Sequence, residues 1–359
     1  MLPRSPFRIR EKGKGQPAVS IHLNKTMIME KIDFVITWVD CNDPIWQSAF
    51  HSYLPKNRCT NDVRTIRYRN WENLRYWFRG VEKFAPWVNK VHFISCGQIP
   101  EWLNLKAPKL HFVKHSDYIP AEYLPTFSSR PIILNLHRIE GLSEHFVCFD
   151  DDCFLIDKVE PERFFRKGLP CDKAALNTIS PYGLFETNII VNNLCIINAS
   201  FKKHETIRTN FWKWFSPQAE NKLLRTLLLL PWPKFTGFYN HHLPQGYLKS
   251  TFEEVWEKHE DILLHTTASR FRDISDVSPW LLRYWQLAKG SFVPLNVERD
   301  GINPFITDDS LDKIVKIIEN QKKKIICLNE DEKTPYEAAK ERINAAFHKI
   351  LPEKSSFEK

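Results

Sequence analysis

Two apolar runs of strand length stop abruptly on aspartates, and that pairing restricts what this chain can fold into. Ile32 to Val39 is apolar or β-branched throughout except at Asp33; it ends at Asp40, with Asn42-Asp43-Pro44 forming a turn behind it. His145 to Phe149 runs straight into Asp150-Asp151-Asp152. Between them Val91 to Ser95 and His111 to Val113 read as strands. Trp71 to Phe84 carries Leu74, Trp77, Phe78 and Val81 at helical spacing, with Asn70 placed to cap it. Ile132 to His137 reads as part of a further helix. Strand and helix alternating in this way predict an α/β sheet with parallel strands, whose ligands sit beyond the carboxyl ends of the strands.

Beyond residue 180 the pattern changes. Asn188 to Ile197 reads as another strand, Phe211 to Leu230 is rich in Trp, Leu and basic residues, Lys324 to Leu328 is a short strand and Tyr336 to Ile350 an amphipathic helix. The expected organisation is a flexible basic arm over 1–30, an α/β core over 31–200, a mostly helical insertion or lid over 201–290, and a segment over 291–359 that returns to the core. At 359 residues, 43% of them hydrophobic, the chain can bury a sizeable core, and most of its 12 Trp, 10 Tyr and 25 Phe are assigned there.

The net charge of +8 fits an anionic substrate or plain solubility. No zinc-finger spacing, RNP-like run or long basic helix points to nucleic acid. Eight cysteines without a CxxC or paired spacing read as reduced thiols of a cytosolic protein. No apolar run of about 18 residues predicts a membrane span.

The acidic strand ends carry the chemistry. Carboxylates projecting into a crevice are hard oxygen ligands, suited to a Mg²⁺ or Mn²⁺ that bridges pyrophosphate oxygens. Either cluster alone reads first as a solvated turn or a helix cap; two of them at strand ends of one sheet favour a site. His242, within Phe238 to Gln245, and Arg272, within Ser269 to Arg272, read by pattern alone as a surface or core histidine and a solvated charge, though the residue types suit a proton carrier and a phosphate clamp.

Four blocks, in order, resemble the Stealth family of capsular polysaccharide phosphotransferases. Ile32 to Asp40 with Asn42-Asp43-Pro44 and Trp46 is similar to its first conserved block. The stretch from Arg67-Tyr68-Arg69 through Gly97 to Asn104, Leu124-Pro125-Thr126-Phe127 and Leu136 to Glu144, ending at Asp152, resembles the second. His242-Leu243-Pro244 with Phe271-Arg272 resembles the third, and Ile326 to Glu330 the fourth. The resemblance implies a GT-A or Rossmann-like glycosyltransferase core. It implies transfer of a hexose-1-phosphate or N-acetylhexosamine-1-phosphate from a UDP-sugar, with a Mg²⁺ or Mn²⁺ cofactor, to a glycan hydroxyl with release of UMP. It further implies donor binding by Asp40, Asp43, Arg67 and Asn329, metal binding by Asp151 and Asp152, and catalytic duty for His242, Arg272, Asp152 and Asp43. The enzyme is expected in the cytoplasm, in peripheral contact with membrane-attached capsule machinery.

The chain also departs from the family pattern. Ile133 stands where a Glu of the active site is usual, Glu330 where Asp is usual, Asp150 where Asn is usual, Asn70 where Asp is frequent and Cys41 where Gly is frequent. An ordinary metal-dependent glycosyltransferase releasing UDP, or a catalytically silent glycan-binding relative lacking the carboxylate at 133, are the alternatives.

Overall fold

Continuous apolar runs make strands that are covered on both faces, and here four of them lie parallel. The computed structural model describes residues 30–55, 61–64, 68–181, 183–330 and 333–359, without the side chain of Leu184; the arm expected over 1–30 falls outside it except for Glu30. The central sheet contains β1 (Ile32–Thr37), β2 (Val91–Ser95), β3 (Leu110–Lys114) and β4 (His145–Phe149), connected through α1 (Pro44–Tyr53), α2 (Leu74–Phe84) and α3 (Ser129–Leu134). The spatial order is β3-β2-β1-β4. Parallel registers pair Phe34 with Val91, Ile32 with His145 and Val91 with Leu110.

Alternation along each strand divides the side chains between two cores. Phe34, Ile36, Phe93, Val147 and Phe149 face one, with Trp77, Phe78 and the C-terminal helices, whereas Val35, Ile94, Phe146 and Cys148 face the other. After β1 the chain builds outward through β2 to β3, then returns to add β4 on the opposite side of β1. The order therefore reverses between β1 and β4, and a crevice opens beyond the carboxyl ends of strands at such a reversal.

Past β4 a turn at Asp150–Asp152 leads into β5 (Cys153–Leu155). The run expected as a strand over 188–197 is instead the middle of α4 (Leu184–Ser200). Its β-branched residues gave a strand propensity, but 17 residues exceed the length of an ordinary strand. Asn192 and Asn193 hold the helix sideways by bonds to Ile274 and Asp276 carbonyls and to Ser278. The segment 201–290 is largely helical, with helices at Lys203–Thr209, Phe211–Trp214 and Lys222–Leu229. It also supplies β6 (Gln245–Leu248), which joins the central sheet antiparallel to β4, so this stretch is knitted into the sheet. α5 (Lys249–Ala268) and α6 (Trp280–Lys289) then pack in the second core.

Next come α7 (Asp308–Glu319), β7 (Ile325–Cys327) and α8 (Tyr336–Ile350). β7 runs antiparallel to β5, with Cys327 opposite Cys153. At α2 the cap position belongs to Asn73, not Asn70; the Asn70 amide reaches Asp40 Oδ1 at 3.4 Å instead. The seven described cysteines are free thiols. No helix among the described residues is long and apolar enough to cross a membrane.

Candidate active site

A cleft of about 840 Å³ lies at the strand-order reversal, walled by Asp150, Asp151, Asp152, His242, Arg272, Asn329, Glu330, Ile133 and several aromatic side chains, among them Trp38, Trp46 and Trp280. Each polar group arrives by a different route. β4 delivers the three aspartates. The strand β6 fixes the segment before it, which carries His242. A two-residue antiparallel ladder pairing Arg272 with Asp62 and Asp273 with Asn61 brings in Arg272. The β5–β7 pairing carries the chain on to Leu328 and Asn329, with the Leu328 N–H donating to the Asp152 carbonyl at 2.9 Å.

His242 is held from both sides. Its Nδ1 lies 2.5 Å from Asn329 Oδ1, and because an amide oxygen can only accept, Nδ1 carries a proton there. Nε2 then faces the acidic turn, 3.4 Å from Asp150 Oδ2. One ligand atom each from Asp150, Asp152 and His242 lie within 4.8 Å of one another. Two carboxylates and an imidazole form a donor set in which the hard oxygens suit Mg²⁺ or Mn²⁺ and the nitrogen favours the softer of these. Asp151, expected as a ligand, does not join this set; Asp150 takes its place.

The electrostatics match so dense an arrangement. Burial would lower the His242 pKa, but its hydrogen bonds to Asp150 and Cys327 and the charge of Asp152 push it up to about 12. Burial raises Asp150, yet its bond to His242 and the charges of His242 and Arg272 bring it below the usual carboxylate range. Asp151 is pushed up to about 7 by burial and by Asp152, Asp150 and Glu330. Asp152 is raised by burial first and by Asp150, against the pull of His242. Three carboxylates crowded this closely repel one another, and the charges of His242 and Arg272 offset part of that repulsion.

The remaining expected residues separate. Arg272 Nη2 donates to Ser129 Oγ at 3.1 Å and lines the cleft. Asp40 and Asp43 do not line it. Asp40 Oδ1 accepts from the Asn42 N–H, and Asp43 caps α1 by accepting from the Ile45 N–H while taking the Gln98 amide at 2.9 Å. Their carboxylates thus organise the loop after β1. Arg67 lies outside the described residues. Glu330 pairs with Arg69 Nη1 at 3.2 Å, and Ile133 lines the cleft while packing, 6% exposed, in the second core.

Behind His242 sits a network that residue type alone did not reveal. Asp172 receives Arg283 bidentately at 2.7 and 2.9 Å, His241 Nε2 at 3.0 Å and the Lys173 N–H at 2.6 Å, all buried. Arg283 also donates to the Tyr239 carbonyl and Asn240 Oδ1. The network pins 239–241 and so aims His242. In the sequence Asp172 and Arg283 read as ordinary charges; the one available signal was Arg283 sitting within an apolar helical run.

Known proteins resemble the chain over most of its length. Residues 30–58 match the family model Stealth protein CR1, conserved region 1, and 67–171 match Stealth protein CR2, conserved region 2. A capsular polysaccharide phosphotransferase, WcwK, of Streptococcus pneumoniae is 43% identical over 92% of this chain and 99% of its own length. A receptor polysaccharide phosphotransferase, WefC, of Streptococcus oralis is 41% identical over 92% of this chain and 100% of its own. An exopolysaccharide phosphotransferase, cps2G, of Lactiplantibacillus plantarum is 37% identical over 91% of this chain and 96% of its own. Among solved structures, the galactosyltransferase LgtC with donor and acceptor sugar analogues aligns over 87% of this chain and 95% of its own at 10% identity, with a TM-score of 0.35.

Proposed function

Because the chain belongs to the Stealth family, we propose that it is a phosphotransferase of capsular or exopolysaccharide synthesis. Its reaction is transfer of a sugar-1-phosphate from a UDP-sugar to a glycan hydroxyl in the cytoplasm. The observation that supports this reading best is the convergence of Asp150, Asp152, His242 and Arg272 on one cleft at the reversal of strand order.

The acceptor oxygen would attack the phosphorus that carries the sugar, its hydroxyl proton passing to Asp151, a cleft carboxylate whose pKa is pushed up to about 7. A new P–O bond forms on one side as the bond to the leaving UMP breaks on the other, giving a phosphodiester. Asp150, Asp152 and the Nε2 of His242 would hold a Mg²⁺ or Mn²⁺, which when bound neutralises charge on the pyrophosphate and the departing nucleotide. Arg272, oriented by Ser129, would lie along phosphate oxygens and stabilise the charge they gain. Asn329 accepts the hydrogen bond from His242 Nδ1–H and so turns Nε2 to the acidic turn, where the raised pKa keeps it protonated towards Asp150 and a bound cation would take the place of that proton. With that nitrogen engaged, His242 orders the charged groups; it could accept the acceptor's proton only if released from the carboxylates. Asp40 and Asp43 contribute by shaping the loop beside the donor.

The test is to incubate the purified protein with UDP-hexoses, a glycan acceptor and Mn²⁺ or Mg²⁺, identifying the nucleotide by chromatography and the product by ³¹P NMR. UMP with a phosphodiester signal, lost in excess chelator, is expected. UDP as the sole nucleotide product would overturn the phosphotransfer reading, and full turnover in chelator would remove the metal role.

A further inference from the structure

A helix rich in leucine normally buries its apolar face, yet Lys222–Leu229 turns its apolar face outward. Leu224, Leu227 and Leu228, at i, i+3 and i+4, are 64%, 50% and 65% exposed, while Thr226 and Leu229 face inward. The chain continues into Leu230-Pro231-Trp232-Pro233, where Trp232 is 52% exposed, and the preceding Phe211–Trp214 helix presents Trp212 at 83%. Apolar groups clustered like this at a surface mark a place where something binds.

A second observation concerns charge. Next to the Trp232 turn lies a hollow of about 370 Å³ lined by Lys202, His204, Arg208, Pro233 and Lys234 together with Lys203 and Glu205. Lys203 is itself buried, and its ammonium spans to the Leu229 and Leu230 carbonyls at 2.8 and 3.1 Å. It thereby locks the basic hollow and the leucine helix into one corner. From 202 to 234 the only acidic residues are Glu205 and Glu220, against seven lysines and arginines.

We propose that this corner docks on an anionic phospholipid bilayer, with Leu224, Leu227, Leu228 and Trp232 entering the interface and the basic hollow receiving a lipid phosphate. Tryptophan and leucine beside a lysine- and arginine-rich rim have the composition of a surface lying in the headgroup region. A second copy of the chain is a poorer fit. A two-fold contact would press this basic rim against itself, whereas a negatively charged surface satisfies both the leucines and the rim. The inference is independent of the phosphotransfer chemistry, since no residue of the corner lines the cleft.

Flotation of the full chain with phosphatidylcholine vesicles, with and without phosphatidylglycerol, tests it. Binding is expected only with the anionic lipid, weakening as salt rises. The triple variant Lys202→Gln/Arg208→Gln/Lys234→Gln should bind about 100-fold more weakly, at about five-fold per charge removed. Trp212→Ser/Trp232→Ser should also weaken binding and should remove quenching of tryptophan fluorescence by brominated lipid. Both variants replace exposed side chains, and unchanged thermal midpoints should confirm that they fold. Three results would each overturn the proposal: equal binding to both vesicle types, anionic binding that survives both variants, or a lipid-free dimer abolished by Trp232→Ser.

Discussion

Replacing Arg283 by Met removes the cation that compensates Asp172 while keeping most of the volume of the side chain. Both partners are almost completely buried, with side-chain exposures of 0% and 2%. Burial alone would raise the Asp172 pKa, but the charge of Arg283 and the hydrogen bond from His241 hold it far below the usual carboxylate range. Removing one member of a pair buried like this leaves an uncompensated charge and costs about 3–5 kcal/mol. The pH dependence carries the sign. A lowered carboxyl contributes stability that is present above its unfolded pKa, 3.8, and is lost as pH falls towards the folded value. In Arg283→Met the isolated carboxyl prefers its proton and its folded pKa rises above 3.8, so the gap to the parent narrows as pH falls from 7 through that raised value and is already smaller near pH 4.

Urea unfolding of the parent, Arg283→Met and Asp172→Asn/Arg283→Met at pH 7 and near pH 4 measures this directly. The double variant removes the charge as well and should recover at least about 1–2 kcal/mol of the loss. A single-variant loss under about 1 kcal/mol at pH 7, or a double variant no better than the single, would refute the reasoning. Because Asp172 anchors His241, the residue before His242, Mn²⁺ affinity by calorimetry should fall about 10- to 100-fold in Arg283→Met, as when second-layer support of a metal ligand is lost. Unchanged affinity would leave the network a purely structural role.

Arg272→Ala should slow turnover roughly 30- to 1000-fold by removing a contact to oxygens that gain charge, with little change in thermal midpoint; a rate within a few-fold of the parent would sink the assignment. Ile133→Glu places a carboxylate on the cleft wall at the cost of burying part of it, so turnover should rise while stability falls by about 1–3 kcal/mol; steady-state rates and calorimetry read both. His115 is buried, and burial lowers its pKa from 6.5 to about 4. The neutral ring therefore contributes stability that is full above 6.5 and is lost as pH falls towards 4. His115→Leu should remove about 3 kcal/mol of the pH dependence across that window, measurable as a flatter curve of unfolding free energy against pH.

How far the sequence disclosed this fold depends on whether each signal was local. β2, β4 and α8 were legible to the residue, because a strand covered on both faces is a mostly apolar run and a helix against a core repeats every 3.6 residues. α4 was misread where β-branched residues outweighed length, a case in which bonds from Asn192 and Asn193 to distant residues decide the outcome. In the site, Asp152 was legible as part of an acidic strand end, His242 and Arg272 were weak candidates until the resemblance singled them out, and Asn329 came through resemblance alone. Asp150 looked like a departure from pattern, yet its spacing from Asp152 across a turn directs both carboxylates towards His242. Asp40 and Asp43 had the right residue type, but nearby N–H groups take up their oxygens, and a pattern of residue types does not show which carboxylates are already occupied.

The placement of the site follows from how the sheet closes. Asp150 and Asp152 are fixed by β4, but their partners belong to segments that reach them only when later strands pair: β6 against β4 carries His242, and β7 against β5 carries Asn329. Until those pairings form, the acidic turn has no imidazole facing it, and the His242 ring has neither the amide that fixes its tautomer nor the carboxylates that raise its pKa. The crowding of like charges is built into the turn itself, and its relief by His242, Arg272 and any cation bound there depends on those pairings. An ion that binds this folded set and not the open chain would stabilise the pairing of β5 with β7 by an amount that grows with the ratio of its free concentration to its dissociation constant. The mutual repulsion of these carboxylates and the proposed capacity to hold a charged donor thus have one origin, three carboxylates brought to the edge where the strand order reverses.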